Sequence, residues 1–252
     1  MRLEIITHCY RYSRVLTYQL SSLVLNPPPF EVSCTIFYNE DDKPTSEVLD
    51  YFQSLHHDRF SILCWPLSKE ELMRREIGRN TAASLSLADL VWFADADYVF
   101  GPGCLAALEE YHFEDDVIYH PQEVQINTTH AFGDQYARMV TKPETIDIDP
   151  EDFMPKRHNF AIGGLQIVTG NTARKHGYCP DDKKLQSPAD TWQDTKGDFR
   201  YRKIIQAARE ESGRPPLDGK LVLPNLYRIR QTVAGEVDTL PVSPGSPGSS
   251  GS

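Results

Sequence analysis

The segment VWFADADY, residues 91–98, is the most informative part of the sequence. Residues 89–94 read as a nearly uninterrupted apolar strand, which is typical of a strand buried on both faces of a parallel sheet. Asp95 and Asp97 follow it directly. Two carboxylates at the end of a buried strand cost free energy if nothing neutralises them, so we expect a positive charge beside the pair.

Strands and helices alternate on the N-terminal side of this segment. Apolar runs and helical periodicity predict, in order, a strand at residues 3–7, a helix at 11–25, a strand at 32–38, a helix opened by Pro44, a strand at 61–65 and a helix at 70–87. This order predicts an α/β fold with a mixed, mostly parallel sheet flanked by helices, in a single domain. Ligands of such folds bind outside the carboxyl ends of the strands.

The alternation weakens on the C-terminal side. The elements predicted there are a short helix at residues 105–111, a strand at 117–120, a strand at 161–169, a helix at 199–211 and a strand at 221–223. Residues 122–159 are polar and irregular, and we expect a long loop that closes over a bound ligand. Residues 236–252 are expected to be a disordered tail or linker, because the last ten are only Ser, Pro and Gly.

The composition excludes several classes of protein. The 252 residues carry a formal net charge of -10, which disfavours a non-specific hold on nucleic acid or on an anionic membrane. The five cysteines lack the CxxC spacing of a zinc site and the density of a disulfide scaffold. The first residues read as a strand and no run of about 18 apolar residues is present, so we expect a cytoplasmic protein without a transmembrane segment.

The acidic pair suits a hard divalent cation. Mg²⁺ and Mn²⁺ prefer oxygen ligands and are held by one or two carboxylates together with substrate phosphates. The sequence contains neither GxGxxG nor GxxxxGK[ST], so a diphosphate would have to be held in another way, and a metal can hold it. The alternative is that Asp95 and Asp97 are solvated and cap the next turn.

Several further motifs occur in a fixed order along the chain. They are Thr7-His8 after the first strand, Asn39-Glu40-Asp41 after the second, Arg79-Asn80-Thr81-Ala82 in the helix before the fourth, Asp95-Ala96-Asp97, and Gly163-Gly164-Leu165-Gln166. With these motifs, residues 3–202 resemble the family 2 inverting glycosyltransferases, which have the GT-A (Rossmann-like) fold. The resemblance implies one domain over residues 1–235, with a nucleotide-sugar-binding half at about 1–100 and an acceptor-binding half at about 101–235.

The resemblance also implies roles for single residues. Those expected around the base and ribose of a nucleotide sugar are Thr7, His8 and one of Glu40 or Asp41, and those expected at its diphosphate or sugar are Arg79 and Asn80. Those expected to bind a Mn²⁺ or Mg²⁺ cofactor are Asp97 and Asp95, of which Asp95 reaches either the metal or the ribose. Those expected at the acceptor are Gly163, Gly164 and Trp192. Arg74 and Arg75 are predicted to be plain surface charge.

The catalytic base is the point at which this sequence departs from the family. An inverting transfer needs a group that takes the proton of the acceptor hydroxyl. The family has a Glu-Asp pair at the start of a late helix, but Thr195 and Lys196 stand at those positions in this chain. We therefore expect Asp194 to be the base and Asp198 to support the site.

The predicted function is a metal-dependent glycosyltransferase that moves a sugar from a nucleotide-diphosphate sugar to an acceptor hydroxyl with inversion. The acceptor stays open among glycans, lipid-linked glycans, proteins and other hydroxyl compounds, and the net charge disfavours nucleic acid. One rival is a catalytically silent nucleotide-sugar-binding protein, which the missing Glu-Asp pair would explain. Another is a nucleotidyltransferase, although residues 8–11 lack the glycine- and lysine-rich opening that such an enzyme needs.

Overall fold

The computed structural model describes residues 1–55, 57–161, 163–179 and 196–232, and for residues 196–199 it describes the backbone alone. The strands are β1 (Arg2–His8), β2 (Glu31–Tyr38), β3 (Phe60–Pro66), β4 (Leu90–Phe93), β5 (Tyr98–Phe100), β6 (Ile118–Pro121), β7 (Glu123–Asn127), β8 (Phe153–Arg157), β9 (Gln166–Thr169), β10 (Asp218–Leu221) and β11 (Leu226–Arg228). The helices are α1 (Ser13–Leu25), α2 (Lys43–Ser54), α3 (Lys69–Leu72), α4 (Arg75–Leu85), α5 (His130–Met139), α6 (Gly170–His176) and α7 (Lys196–Glu211), with 3₁₀ turns at Ala106–Glu110 and Pro150–Asp152.

Seven strands form the central sheet, in the order β10-β6-β9-β4-β1-β2-β3. The strands β4, β1, β2 and β3 are parallel to their neighbours in that group, and β6 is parallel to β10. Strand β9 runs antiparallel to β4 and β6. The predicted mixed, mostly parallel sheet flanked by helices is confirmed, and the carboxyl ends of β1 and β4 lie side by side.

Strand β4 is buried on both faces, as its apolar run predicted. Leu90 and Trp92 pack into one core with α1 and α2, whereas Val91 and Phe93 pack into a second core with α4, α6 and α7. None of these four side chains is more than 3% exposed. Because both faces of β4 are packed, the strand is held firmly, and the position of Asp95 shortly after it is fixed.

A second sheet of four strands, in the order β5-β11-β7-β8, packs against the first core. Two of its strands come from residues 122–159, which also contain α5, so the expectation of one long irregular loop there is wrong. The elements in this segment are short, and four of the five residues of β8 are exposed. The segment therefore lacks the apolar periodicity that identifies the other strands.

The helix predicted at residues 70–87 is divided into α3 and α4. At Arg74 the backbone leaves helical geometry, with ψ 79°, and α4 begins at Arg75. Arg75 and Arg79 are therefore one turn apart on the same face of α4. That face is turned towards the end of β4.

The described helices are short. The longest of those in the described ranges, α7, has 16 residues. None of them combines the length and the apolar character that are needed to cross a membrane.

Asp116, just before β6, joins three segments of the chain. Its side chain is 4% exposed and lies 3.3 Å from Lys175 Nζ, 2.8 Å from His176 Nε2 and 2.7 Å from Arg214 Nη2. Burial acts to raise the pKa of Asp116, but hydrogen bonds from His176 and Lys175 outweigh it and hold the pKa below its ordinary value. The ionised carboxylate thus stabilises the packing of α6 and of the loop after α7.

Asp116→Asn should destabilise the fold near pH 7 by roughly 2 kcal/mol, because it removes a charge that accepts several hydrogen bonds. The pKa of Asp116 is lower in the folded chain than in the unfolded chain, so its contribution is complete above the unfolded pKa of about 4 and is lost as the pH falls through the folded pKa. Urea unfolding of both proteins across this range measures the effect. A difference in unfolding free energy that does not narrow in acid would contradict the assigned role of the charge.

Candidate active site

The residues that follow β1 and β4 meet at one edge of the sheet. The two strands are parallel neighbours, with Ile6 opposite Phe93. Gln19 of α1 joins their ends: its amide donates to the backbone oxygen of Asp95 at 2.8 Å, and its side-chain oxygen accepts from Thr7 Oγ1 at 3.2 Å. The predicted residues Thr7 and Asp95 are thus joined at one site, and Gln19 is one of the site's side chains that the sequence motifs did not indicate.

Three arginines neutralise the acidic pair. The guanidinium groups of Arg75 and Arg79 lie 2.8 Å and 3.2 Å from Asp95 Oδ1. Arg228 approaches both carboxylates, with its Nη2 3.7 Å from Asp95 Oδ2 and its Nε 2.9 Å from Asp97 Oδ2. The chain itself therefore supplies the positive charge that the carboxylates require. The prediction that Arg75 is plain surface charge is wrong.

Strand pairing brings Arg228 to this site. Strands β11 and β5 are antiparallel with Arg228 opposite Tyr98, and the guanidinium lies 5.1 Å from the centre of the Tyr98 ring. The backbone N–H of Ile229 also donates to the backbone oxygen of Asp97 at 2.9 Å. Arg228 and Asp97 are 131 residues apart in the sequence, so no local motif could have indicated their contact.

The two carboxylates differ in their electrostatic environment. Burial acts to raise the pKa of Asp95, but Arg75, Arg79 and Arg228 outweigh it and hold that pKa below its ordinary value. Burial dominates at Asp97 and raises its pKa, with Arg228 opposing the change and the charge of Asp95 adding to it. Asp97 Oδ1 is buried and has no hydrogen-bond partner among the described residues.

Asp97 Oδ1 is the oxygen atom that a hard cation would use at this site, together with oxygens of a ligand. Within the described part of the chain, no group of three or more His, Cys, Asp or Glu side chains is arranged to hold a metal ion. Mg²⁺ and Mn²⁺ accept one or two carboxylates when phosphate oxygens and water complete their coordination. Asp97 offers one such oxygen, whereas both oxygens of Asp95 face arginines. A diphosphate would therefore have to complete the coordination.

The Gly163-Gly164 pair, predicted at the acceptor, lies against Asp95. A Cβ on Gly164 would be 2.6 Å from the Asp95 nitrogen, 3.0 Å from Asp95 Cγ and 2.5 Å from a ring carbon of Tyr98. The Gly164 oxygen accepts from Trp92 Nε1 at 2.9 Å. Glycine is required here because the backbone of this segment approaches the acidic turn so closely. The contact of the pair with an acceptor stays a prediction.

His8 lies beside the arginines of the site in a neutral form. Its ring stacks on Phe37 with 4.9 Å between ring centres, and neither ring nitrogen has a hydrogen-bond partner in the described ranges. Burial, and after it the charges of Arg79 and Arg75, keep the pKa of His8 well below its ordinary value. A neutral ring leaves one nitrogen as a donor and the other as an acceptor.

Some of the other residues implied for the nucleotide sugar are exposed, and the rest contact Tyr178. Glu40 and Asp41 are exposed directly after β2. Asn80 Oδ1 accepts from the backbone N–H of Tyr178 at 3.0 Å, and Arg79 Nη1 donates to the Tyr178 hydroxyl at 3.0 Å. Arg79 is 1% exposed. Arg79 and Asn80 thus hold Tyr178 in place, and their contact with a diphosphate or sugar stays a prediction.

Two of the residues predicted on the acceptor side, Trp192 and Asp194, lie outside the described residues. Asp198 belongs to α7 at a position where the backbone alone is described. Further along α7, Tyr201 and Ile205 pack into the same core as α4. The assignment of Asp194 and Asp198 as base and support stays a prediction.

The fold is a mixed α/β fold with a mostly parallel central sheet flanked by helices, and the acidic pair lies at the end of its central strand. No protein-family model matches the sequence, and no curated protein matches it either. Among solved structures, the chain is similar to S. aureus TarS 1-349, with a TM-score of 0.53 and 13% identity over 90% of this chain and 60% of that one. It is also similar to another TarS structure, with a TM-score of 0.52 and 13% identity over 94% of this chain and 38% of that one.

A third structure, TarS 1-349 in complex with UDP, has a TM-score of 0.48 and 13% identity over 82% of this chain and 65% of that one. The chain spans about 60% of the length of the first TarS structure. At 13% identity these likenesses establish the fold.

Gly164→Ala should destabilise the protein by roughly 1–3 kcal/mol, because the new methyl group overlaps the Asp95 backbone and the Tyr98 ring. Gly213→Ala is the matched control, since a Cβ there meets no atom within 4 Å and adds only the strain of a positive φ, 77°. Urea unfolding of the two variants measures the difference. The control should lose about 1–2 kcal/mol through its backbone strain alone. If Gly164→Ala were as stable as the unaltered chain, the close packing against Asp95 would be wrong.

Proposed function

We propose that the chain transfers a sugar from a nucleotide-diphosphate sugar to an acceptor hydroxyl. The observation that carries this proposal is the cluster of Arg75, Arg79 and Arg228 around Asp95 and Asp97 at the carboxyl end of β4. Sheets of this kind bind their ligands at this edge. The fold that the chain shares with the glycosyltransferase TarS supports the same reading.

The cluster has the chemistry that a diphosphate requires. The side chains of Arg75 and Arg228 are 30% and 29% exposed, and they approach the acidic pair from α4 and from β11. A guanidinium has five N–H donors and binds phosphate oxygens in pairs, so groups remain for a ligand after the carboxylates are satisfied. A diphosphate over Asp97 would meet both arginines, which would stabilise the charge that grows on it as the sugar leaves.

A divalent cation, Mn²⁺ or Mg²⁺, is part of the proposal. Asp97 Oδ1 would hold it, together with oxygens of the diphosphate. Such an ion, when bound, neutralises negative charge on the leaving group. Arg228 engages Asp97 Oδ2 at 2.9 Å, so Oδ1 is the oxygen that would contact the ion.

The nucleoside is proposed to lie between the end of β2 and the turn after β1. Glu40 and Asp41 are exposed there, and a carboxylate can accept from a ribose hydroxyl or a base N–H. Asp42 is buried and accepts from the backbone N–H of Arg11 at 2.6 Å and from Thr45 Oγ1 at 2.8 Å. This side chain, which the sequence analysis did not single out, fixes the turn after β1 against α2.

Transfer with inversion is proposed to use Asp194 as the base. In a single displacement the acceptor oxygen bonds to the anomeric carbon, its proton passes to Asp194, and the bond from that carbon to the diphosphate oxygen breaks. Asp198 would support the site. The rival that differs most is a nucleotide-sugar-binding protein without turnover, which predicts binding of the donor and no transfer.

Thermal unfolding with a panel of UDP-, GDP- and ADP-sugars, each with Mn²⁺ or with EDTA, tests the proposal. A donor present at about a hundred times its Kd should stabilise the fold by about 2.7 kcal/mol. Mn²⁺ alone should change the Tm little, because the described residues contain no preformed cluster of ligands. If no nucleotide sugar raised the Tm under either condition, the proposed function would be wrong.

Asp194→Asn should lower the rate of transfer at least about 100-fold and leave donor binding unchanged, because it removes a proton acceptor and no donor contact. Asp58→Asn, on the exposed surface before β3, is the matched control and should keep full activity. Full transfer activity in Asp194→Asn would remove the assignment. Donor binding without transfer in the unaltered chain, for every acceptor tried, would favour the silent binding protein.

A further inference from the structure

Arg228 occupies the place between the two carboxylates. Its Nη2 lies 3.7 Å from Asp95 Oδ2 and its Nε lies 2.9 Å from Asp97 Oδ2. The other two arginines of the cluster, Arg75 and Arg79, are paired with Asp95. A cation that neutralises both carboxylates would sit where this guanidinium sits.

The backbone holds Arg228 in this position. Strand β11 pairs with β5 at Tyr98, directly after the acidic pair, and the Ile229 N–H donates to the Asp97 backbone oxygen at 2.9 Å. The Tyr98 ring lies under the guanidinium at 5.1 Å. Strand pairing, a backbone hydrogen bond and an aromatic ring therefore all constrain Arg228 to its place beside Asp97.

In the described part of the chain, three positive side chains of the cluster face two negative ones. Arg75, Arg79 and Arg228 face Asp95 and Asp97, in a chain whose formal net charge is -10. Two of the three arginines are about 30% exposed and can reach a ligand, whereas Arg79 is 1% exposed. An excess of positive charge at this edge attracts a small, highly charged anion.

We propose that Arg228 is a resident cation of the diphosphate site, which binds the diphosphate directly, beside Arg75, even when no divalent metal is present. This inference rests on the proposed function and assigns to Arg228 a role that the sequence analysis left to a metal. A metal at Asp97 Oδ1 then adds to the affinity for a diphosphate and is not its sole source. The other oxygen of Asp97 remains with Arg228.

Calorimetric titration of the full chain with sodium pyrophosphate, in excess EDTA and again with Mn²⁺, tests this inference. The unaltered chain should bind pyrophosphate in EDTA. Arg228→Gln should weaken that binding roughly 10- to 100-fold, as expected for the loss of charged hydrogen bonds. The same variant should recover most of its affinity in Mn²⁺, which would also show that the site is folded. Arg228→Lys, which keeps the charge, should retain more affinity in EDTA than Arg228→Gln.

The matched control is Arg157→Gln, which removes an arginine that is 88% exposed and should leave both titrations unchanged. The inference is overturned if the unaltered chain binds pyrophosphate only with Mn²⁺, or if Arg228→Gln binds as well as the unaltered chain in EDTA. It is also overturned if the lysine variant is as weak as the glutamine variant. Those results would leave the proposed function intact as long as a nucleotide sugar binds in the presence of Mn²⁺. If no nucleotide sugar binds in either EDTA or Mn²⁺, the proposed function itself is contradicted.

Discussion

Burial of two carboxylates at the end of β4 is the constraint on which the rest of the site depends. Asp95 and Asp97 follow a strand packed on both faces, and removing one partner of a buried ion pair costs about 3–5 kcal/mol. Arg75 and Arg79 from α4 and Arg228 from β11 meet that requirement. These ion pairs therefore help to position α4 and β11 beside the acidic pair. The guanidinium groups have further N–H donors for a ligand at the carboxyl ends of the strands.

The local charge and the overall charge of the chain select the same kind of ligand. The formal net charge of -10 repels extended polyanions such as nucleic acid. The excess of one arginine over the carboxylates at the end of β4 acts only within about a Debye length, roughly 8 Å in physiological salt. A compact anion that fits between α4 and β11 experiences this local field. A diphosphate attached to a nucleoside has that size and charge, and Glu40 and Asp41 are exposed near enough in the fold to meet the rest of it.

The parts of the fold that the sequence predicted are those encoded locally. The apolar run of β4 and the spacing of Asp95 and Asp97 identified the central strand and the acidic turn, and the alternation of elements identified the sheet. The roles of Arg75 and Arg228 depend on packing between distant parts of the chain. Arg75 was misassigned because the break at Arg74 orients α4. Arg228 was missed because it lies on β11, a three-residue strand that pairs with the distant strand β5. Arg228 lies in the half of the chain that the resemblance assigned to the acceptor, yet it contacts the acidic pair of the nucleotide-sugar-binding half. The division of the domain into these two halves therefore stays a prediction.

A crystal structure of the chain with a bound nucleotide diphosphate would show directly whether the diphosphate lies at the arginine cluster. Diphosphate oxygens should lie about 3 Å from the guanidinium groups of Arg75 and Arg228. Asp97 Oδ1 should face the same diphosphate, directly or through a metal ion. A diphosphate bound at another edge of the sheet, with the ion pairs of Asp95 and Asp97 intact and out of its reach, would contradict the account.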